Sequence, residues 1–218
     1  MSKKTKKENK APLFSPSYWL VDLIRLTAVP GILYFRPKAY YENKAARKKI
    51  QGGALVISNH AGFSDPVYLM FAIWYRRHHF ICMKEFFEGG KFKRFWFSHF
   101  LCIPIDRENF NMNSFREVTG KLTDGNLVTM FPAGHIGQEG SDLSGFKSGM
   151  VMMALNAGRP VVPVVIRKKE HWYERLKFAI GEPVDVKALY DEAPSFSRVE
   201  EITRQLEEKE NFLRGLIR

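Results

Sequence analysis

From Ala54 onward the chain alternates short β-like apolar runs with stretches of helical periodicity, and this constrains the fold more than any other feature. ALVIS at 54–58 precedes a helix expected from Pro66 to about Arg76; HFICM precedes an aromatic-rich helix through Phe100; LCIPI precedes a helix from about Asn113 to Asp124. NLVTMF then leads to a helix over Lys147 to Ala157 and the run PVVPVVI. Strands separated by helices must lie side by side in the same direction, because a helical crossover returns the chain to the edge it left. The expectation is one α/β domain with a largely parallel mixed sheet flanked by helices. In such sheets chemistry gathers in the loops after the carboxyl ends of the strands. Phe196 to Ile217, with Val199, Ile202, Leu206, Leu213 and Leu216 among acids, reads as a closing surface helix.

The length of 218 residues suits one domain with a substantial core. With 45% hydrophobic and 26% charged residues the chain is neither disordered nor a collagen-like or disulfide scaffold. It is also not a multi-pass membrane protein, since no charge-free stretch approaches the roughly 18 to 20 apolar residues of a spanning helix. No internal repeat, P-loop or GxGxxG fingerprint is present. Cys82 and Cys102 lie in apolar runs and read as reduced core thiols, which favours the cytosolic side.

The net charge of +11 is concentrated at one end. Residues 1–49 hold twelve Lys and Arg against Glu8, Asp22 and Glu42, whereas the remainder carries 22 against 20. A nearly neutral body with a basic N-terminal section calls for a localised anionic partner, a membrane surface or nucleic acid. Residues 1–14 read as a basic mobile arm, 15–49 as an N-terminal helix and connector, and 50–218 as the main domain. Ser15-Pro16 is a helix entry. In the helix expected over Tyr18 to Ala28, Asp22 and Arg25 lie about 60° apart and leave the rest of the circumference apolar. Such a helix either packs on its own domain or lies in a membrane interface, where Tyr18, Trp19 and the preceding lysines would suit the headgroup layer. The apolar part is broken by Pro16, Asp22 and Arg25 and lacks a small-residue cleavage site, so no secretory signal is expected.

The chemistry-bearing segment follows ALVIS directly: Asn59-His60-Ala61-Gly62-Phe63-Ser64-Asp65-Pro66. Asp65 can cap the helix opened by Pro66 with His60 an ordinary loop imidazole, or its carboxylate can reach His60 Nδ1 and support the imidazolium formed when Nε2 takes a proton. A carboxylate has capacity for both. No serine or cysteine nearby has the context of an activated nucleophile, so a His-Asp pair here would activate a hydroxyl or water arriving with the substrate. The segment Phe86, Phe87, Phe92, Phe95, Trp96, Phe97 and Phe100, interleaved with Lys91, Lys93 and Arg94, reads as core plus the wall of an apolar groove, with base stacking the alternative.

NHAGFSD resembles the H-x4-D block of the glycerolipid acyltransferases, the family of 1-acylglycerol-3-phosphate acyltransferases and their relatives. Later blocks follow in the family's order: Lys84-Glu85, then Pro104-Ile105-Asp106-Arg107, then Phe131-Pro132-Ala133-Gly134 with Phe146-Lys147-Ser148-Gly149, then Val161-Val162-Pro163-Val164-Val165. The resemblance covers about residues 50 to 185. It implies transfer of a fatty acyl group from a thioester, acyl-CoA or acyl carrier protein, to a hydroxyl of a lysolipid on the cytoplasmic face of a membrane, as part of phospholipid biosynthesis. No metal or other cofactor and no nucleic acid is implied. His60 would be the general base and Asp65 its support; Arg107, Lys84, Gly134, His135 and Lys147 would hold the acceptor. Backbone N–H groups near Gly62 or at the start of the Pro66 helix are candidate oxyanion donors.

The third block departs from the family's usual Phe-Pro-Glu-Gly-Thr-Arg-Ser, with Ala133 at the acidic position and Ile136 at the basic one. That leaves open a different acceptor, such as lyso-ornithine lipid, or a non-catalytic lipid-binding relative.

Overall fold

A computed structural model describes residues 18–23, 26, 30, 34, 36–60, 62–105, 112–132, 144–167, 171 and 174–217, with only the backbone at 144–147. Among these residues seven strands form one sheet: β1 (Lys38–Tyr41), β2 (Ala54–Ser58), β3 (His78–Met83), β4 (Cys102–Ile105), β5 (Leu127–Met130), β6 (Val161–Ile166) and β7 (Lys177–Ile180). Their order is β1-β7-β6-β2-β5-β3-β4. The five strands from β6 to β4 are parallel, β7 is antiparallel to β6, and β1 is parallel to β7. The helices are α1 (Asp65–Ala72), α2 (Glu85–Glu88), α3 (Lys91–His99), α4 (Met112–Thr123), α5 (Ser144–Ala157), α6 (Val186–Glu192) and α7 (Phe196–Leu216).

The apolar runs are continuous rather than alternating because both faces of the sheet are covered. On one face Leu55, Ile57, Ile81, Ile103, Val128 and Met130 meet α4, α5 and α7 through residues such as Leu122, Met153 and Ile202. On the other, Val56, Phe80, Leu127, Val162 and Val164 meet Leu69 and Phe71 of α1. Pro163 sits inside β6, where its ring would clash with a side chain opposite. Position 181 is glycine, and a Cβ there would come within 2.7 Å of the Pro163 ring.

Several expectations need correcting. Lys38–Tyr41, in the segment read as a connector, is an edge strand of the sheet, and β7 and α6 had no distinct signal. The expected aromatic helix is two helices, and none of the residues in α2 or α3 is buried, so this segment is not core. Cys82 and Cys102 are free thiols, as expected, but half-buried. A hydrogen bond to Cys102, together with burial, pushes the Cys82 thiol far above its ordinary pKa, so Cys82 is not poised for thiolate chemistry.

The described helical positions of the N-terminal segment extend beyond Ala28, to Pro30 and Tyr34. Leu20, Val21 and Asp22 are buried, while Trp19, Leu23, Leu26 and Tyr34 are exposed. Asp22 forms a bidentate ion pair with Arg77 at 2.8 and 2.7 Å, and the Arg77 guanidinium lies 5.1 Å from the Tyr18 ring centre. The segment therefore both packs on its own domain and keeps an apolar row outward. Arg77 immediately precedes β3, whereas β1 runs against the parallel strands, so residues 22 and 38 lie at opposite ends of the sheet. Among the described residues no helix is long and apolar enough to cross a membrane.

His79 in β3 is buried, and burial, with the nearby Lys121 charge, pushes its pKa down to about 4. Neighbouring His78 is also buried and is bonded through Nδ1 to Thr129 Oγ1 at 2.8 Å.

Candidate active site

The site is assembled where β2 ends. In β2 the side chains of Ala54 and Val56 point to the α1 face, and the period of two carries His60 to the same side once the strand stops at Ser58. Asn59 fixes the exit. Its Nδ2 donates to the Ile166 carbonyl at 2.9 Å and its Oδ1 accepts from the Ile166 N–H at 2.8 Å. The backbone register of β2 with β6 ends at Ser58 opposite Val164, so the Asn59 amide continues the ladder in place of a peptide group.

Beyond Asn59 the chain turns tightly. The Asp65 N–H donates to the Gly62 carbonyl at 3.1 Å, and the Asp65 carboxylate accepts from the Gly62 N–H at 2.8 Å. The same oxygen, Oδ2, is 2.8 Å from His60 Nδ1. An ionised carboxylate only accepts, so Nδ1 carries the proton and Nε2 presents its lone pair. The carboxylate thus bonds backward into the turn and to the imidazole. Ser64, not Asp65, holds the N-cap position of α1, and its side chain makes no capping bond. Pro66 in the first turn lowers the demand for a cap, because it has no N–H to satisfy.

The Asp65 side chain is 3% exposed and that of His60 17%. The acid is enclosed and the base reaches the surface. Against the imidazole lies Phe131, at the end of neighbouring β5, its ring stacked 4.3 Å away with the planes 19° apart. An aromatic face attracts a cation, so Phe131 can offset charge that the imidazole gains during a reaction. The Gly62 N–H, one of the candidate oxyanion donors, is occupied by Asp65.

Lys84 follows the end of β3 at the same end of the sheet. Its backbone N–H extends the ladder to Ile105, but its exposed ammonium lies 3.5 Å from Glu88 and not against the dyad. Arg107, Gly134 and His135 lie outside the described residues, and of Lys147 only the backbone is described, within the first turns of α5. Asn59 and Phe131 are the site residues that residue-by-residue reading missed. The signal for Phe131 was present in its motif; Asn59 had only its adjacency to His60.

A family model described as Acyltransferase matches residues 38–167, more than half of the chain. The 1-acyl-sn-glycerol-3-phosphate acyltransferase of Bacillus subtilis (strain 168) is 28% identical over 166 residues, covering 72% of this chain and 79% of its own. The enzyme of that name from Streptococcus pneumoniae (strain ATCC BAA-255 / R6) is 27% identical over 186 residues, 77% of this chain and 68% of its own. The crystal structure of the 1-acyl-sn-glycerophosphate (LPA) acyltransferase of Thermotoga maritima superposes with a TM-score of 0.56 at 24% identity. The match covers 88% of this chain and 80% of that one, and is a likeness of fold.

Proposed function

The chain belongs to the acyltransferase family, and from that premise we propose that it transfers a fatty acyl group from a thioester, acyl-CoA or acyl carrier protein, to the free hydroxyl of a lysophospholipid resembling 1-acylglycerol-3-phosphate. The observation that carries this reading is the His60–Asp65 contact of 2.8 Å at the end of β2, with Nε2 left for substrate. The acceptor oxygen attacks the thioester carbonyl carbon while its proton passes to Nε2, and Asp65 and Phe131 offset the charge His60 gains. Collapse of the tetrahedral intermediate breaks the C–S bond, and the departing thiolate takes the proton from His60, restoring the neutral imidazole. The product is an ester and a free thiol, with no covalent enzyme intermediate.

The acceptor is held in this reading by Arg107, with Lys84, Gly134, His135 and Lys147 around it. Ile136 in place of the family's usual arginine removes one cationic donor. A lost charge-assisted hydrogen bond costs about 1.5 to 3 kcal/mol. The preferred acceptor is therefore a lysolipid without a terminal phosphomonoester, or lysophosphatidate taken at high KM. The exposed row of Trp19, Leu23, Leu26 and Tyr34 supports placement of the enzyme on a membrane, aided by the basic residues before it. The cytoplasmic face is the matching side, where acyl-CoA and acyl carrier protein are found.

The test is to incubate the purified protein with acyl-CoA or acyl carrier protein and a panel of lysolipids, and to identify products by mass. His60→Ala should lower kcat by about 10²-fold or more with folding intact. A His60→Ala protein with full transfer would remove His60 as the base.

A further inference from the structure

The segment between β3 and β4 is built unlike the other crossovers. A helix linking two parallel strands ordinarily buries one apolar stripe on the sheet. Here neither α2 nor α3 buries a single residue, although the two carry Phe86, Phe87, Phe92, Phe95, Trp96 and Phe97. Inward contact comes from Phe97, whose ring centre lies 5.2 Å from Phe86 and 5.8 Å from Phe87. The opposite side of α3 faces outward: Phe92 is 74% exposed and Phe95 49%.

At 100° per residue, Phe92, Phe95, Trp96 and His99 fall within an arc of about 100°. Lys91 and Lys93 lie about 40° and 60° beyond the two edges of that arc, Arg94 lies on the far side next to Phe97, and α3 contains no acid. The outward rings brace one another edge to face, with Phe92–Trp96 centres 5.9 Å apart and Phe95–Trp96 6.3 Å. Lys91 and Lys93 stand beside the aromatic face rather than in it. Bases stacking on the rings would bring their phosphates over the face, where α3 places no lysine or arginine, whereas lysines beside an apolar arc can reach lipid headgroups as the rings enter the acyl boundary.

We propose that α3 is a second membrane contact, separate from the N-terminal row, and that it seats on an anionic leaflet beside the mouth of the active site. This rests on the membrane-bound acyltransferase reading above. Its position gives it a purpose. The hairpin leaves from the carboxyl end of β3, two strands from β2, about 10 Å along the sheet from the end that carries His60. Phe63, in the turn between His60 and Asp65, is 87% exposed at that same end. A leaflet held there presents a lysolipid hydroxyl next to the base, so the acceptor passes from the bilayer without crossing water.

The test uses the full chain and sedimentation with vesicles of phosphatidylcholine containing 30% phosphatidylglycerol (about that fraction being a usual anionic mixture). Phe92→Ser with Phe95→Ser touches only exposed positions and should weaken binding about 10-fold or more, with an unchanged melting temperature. In a W19F/W74F/W172F protein, the remaining Trp96 should be quenched by brominated lipid in those vesicles. Unmodified protein that fails to bind the vesicles overturns this proposal together with the membrane reading it rests on. Unmodified protein that binds, with the double variant equal to it and Trp96 unquenched, overturns the α3 contact alone and leaves the N-terminal row as the anchor. Loss of retention on single-stranded DNA with vesicle binding unchanged assigns the face to nucleic acid and likewise overturns it.

Discussion

Replacing Asn59 with alanine separates holding the dyad from forming it. The substitution deletes both bonds to Ile166, of 2.9 and 2.8 Å. Each contributes about 1 kcal/mol net, and a donor or acceptor left unmatched adds about 1 to 3 kcal/mol. Ile166 is a buried residue at the end of β6, but the bonds themselves are only partly buried, so the expected loss is about 2 to 4 kcal/mol in total. That is a large part of a typical stability of about 5 to 15 kcal/mol, yet leaves the variant folded at low temperature. His60 is the next residue, and freeing the exit of β2 by even an ångström displaces Nε2 from the acceptor oxygen. Misplacement of that size is worth up to about 10²-fold in rate. Urea denaturation gives the stability term, and acyl transfer measured well below the new midpoint gives kcat. The expected result is a lower midpoint, kcat reduced about 10-fold or more, and KM little changed. A variant with full stability would show that the amide bridge contributes nothing. One that is destabilised but retains its kcat would show that Asn59 secures the sheet and not the base.

Three further outcomes follow from the same contacts. Asp65→Asn keeps the size of the side chain but removes the charge beside His60; at a charge separation of about 4 Å and an effective dielectric near 20 this is worth up to about 4 kcal/mol, so kcat should fall by about 10²- to 10³-fold with KM unchanged in steady-state assays. His79, at about 4 in the folded chain against 6.5 unfolded, binds its proton more tightly when unfolded, so stability falls as pH drops through this window; from pH 7 to pH 5 the loss is about 2 kcal/mol, and urea titrations at the two pH values should show His79→Phe without it. Asp22→Ala leaves the 9% exposed Arg77 charge buried without its carboxylate and should cost about 3 to 5 kcal/mol, with much of it recovered in Asp22→Leu combined with Arg77→Met; protease release of the N-terminal segment reads the same break.

The parts of this protein legible in one dimension are those whose physics is local. Strand and helix periodicity announced β2 to β6 and the helices between them, because burial on both faces of a parallel sheet demands unbroken apolar runs. His60 and Asp65 are five residues apart with Gly62 and Pro66 to shape the turn, so the chain's own geometry suffices to bring them together. Tertiary structure decided the rest. Asn59 meets Ile166 across 107 residues of sequence, and its role exists only because β6 lies beside β2. Phe131 reaches the imidazole only because β5 is the strand on the other side. β1 and β7 are short four-residue strands, β1 at the edge of the sheet and β7 inside it, whose runs, KAYY and KFAI, acquire meaning from each other's backbone groups. The aromatic stretch through Phe100 shows the deepest limit, since an apolar side chain has the same hydrophobicity whether it faces a core or a lipid. Periodicity states that a face must leave water, and only the positions of the neighbouring elements decide what it leaves water for.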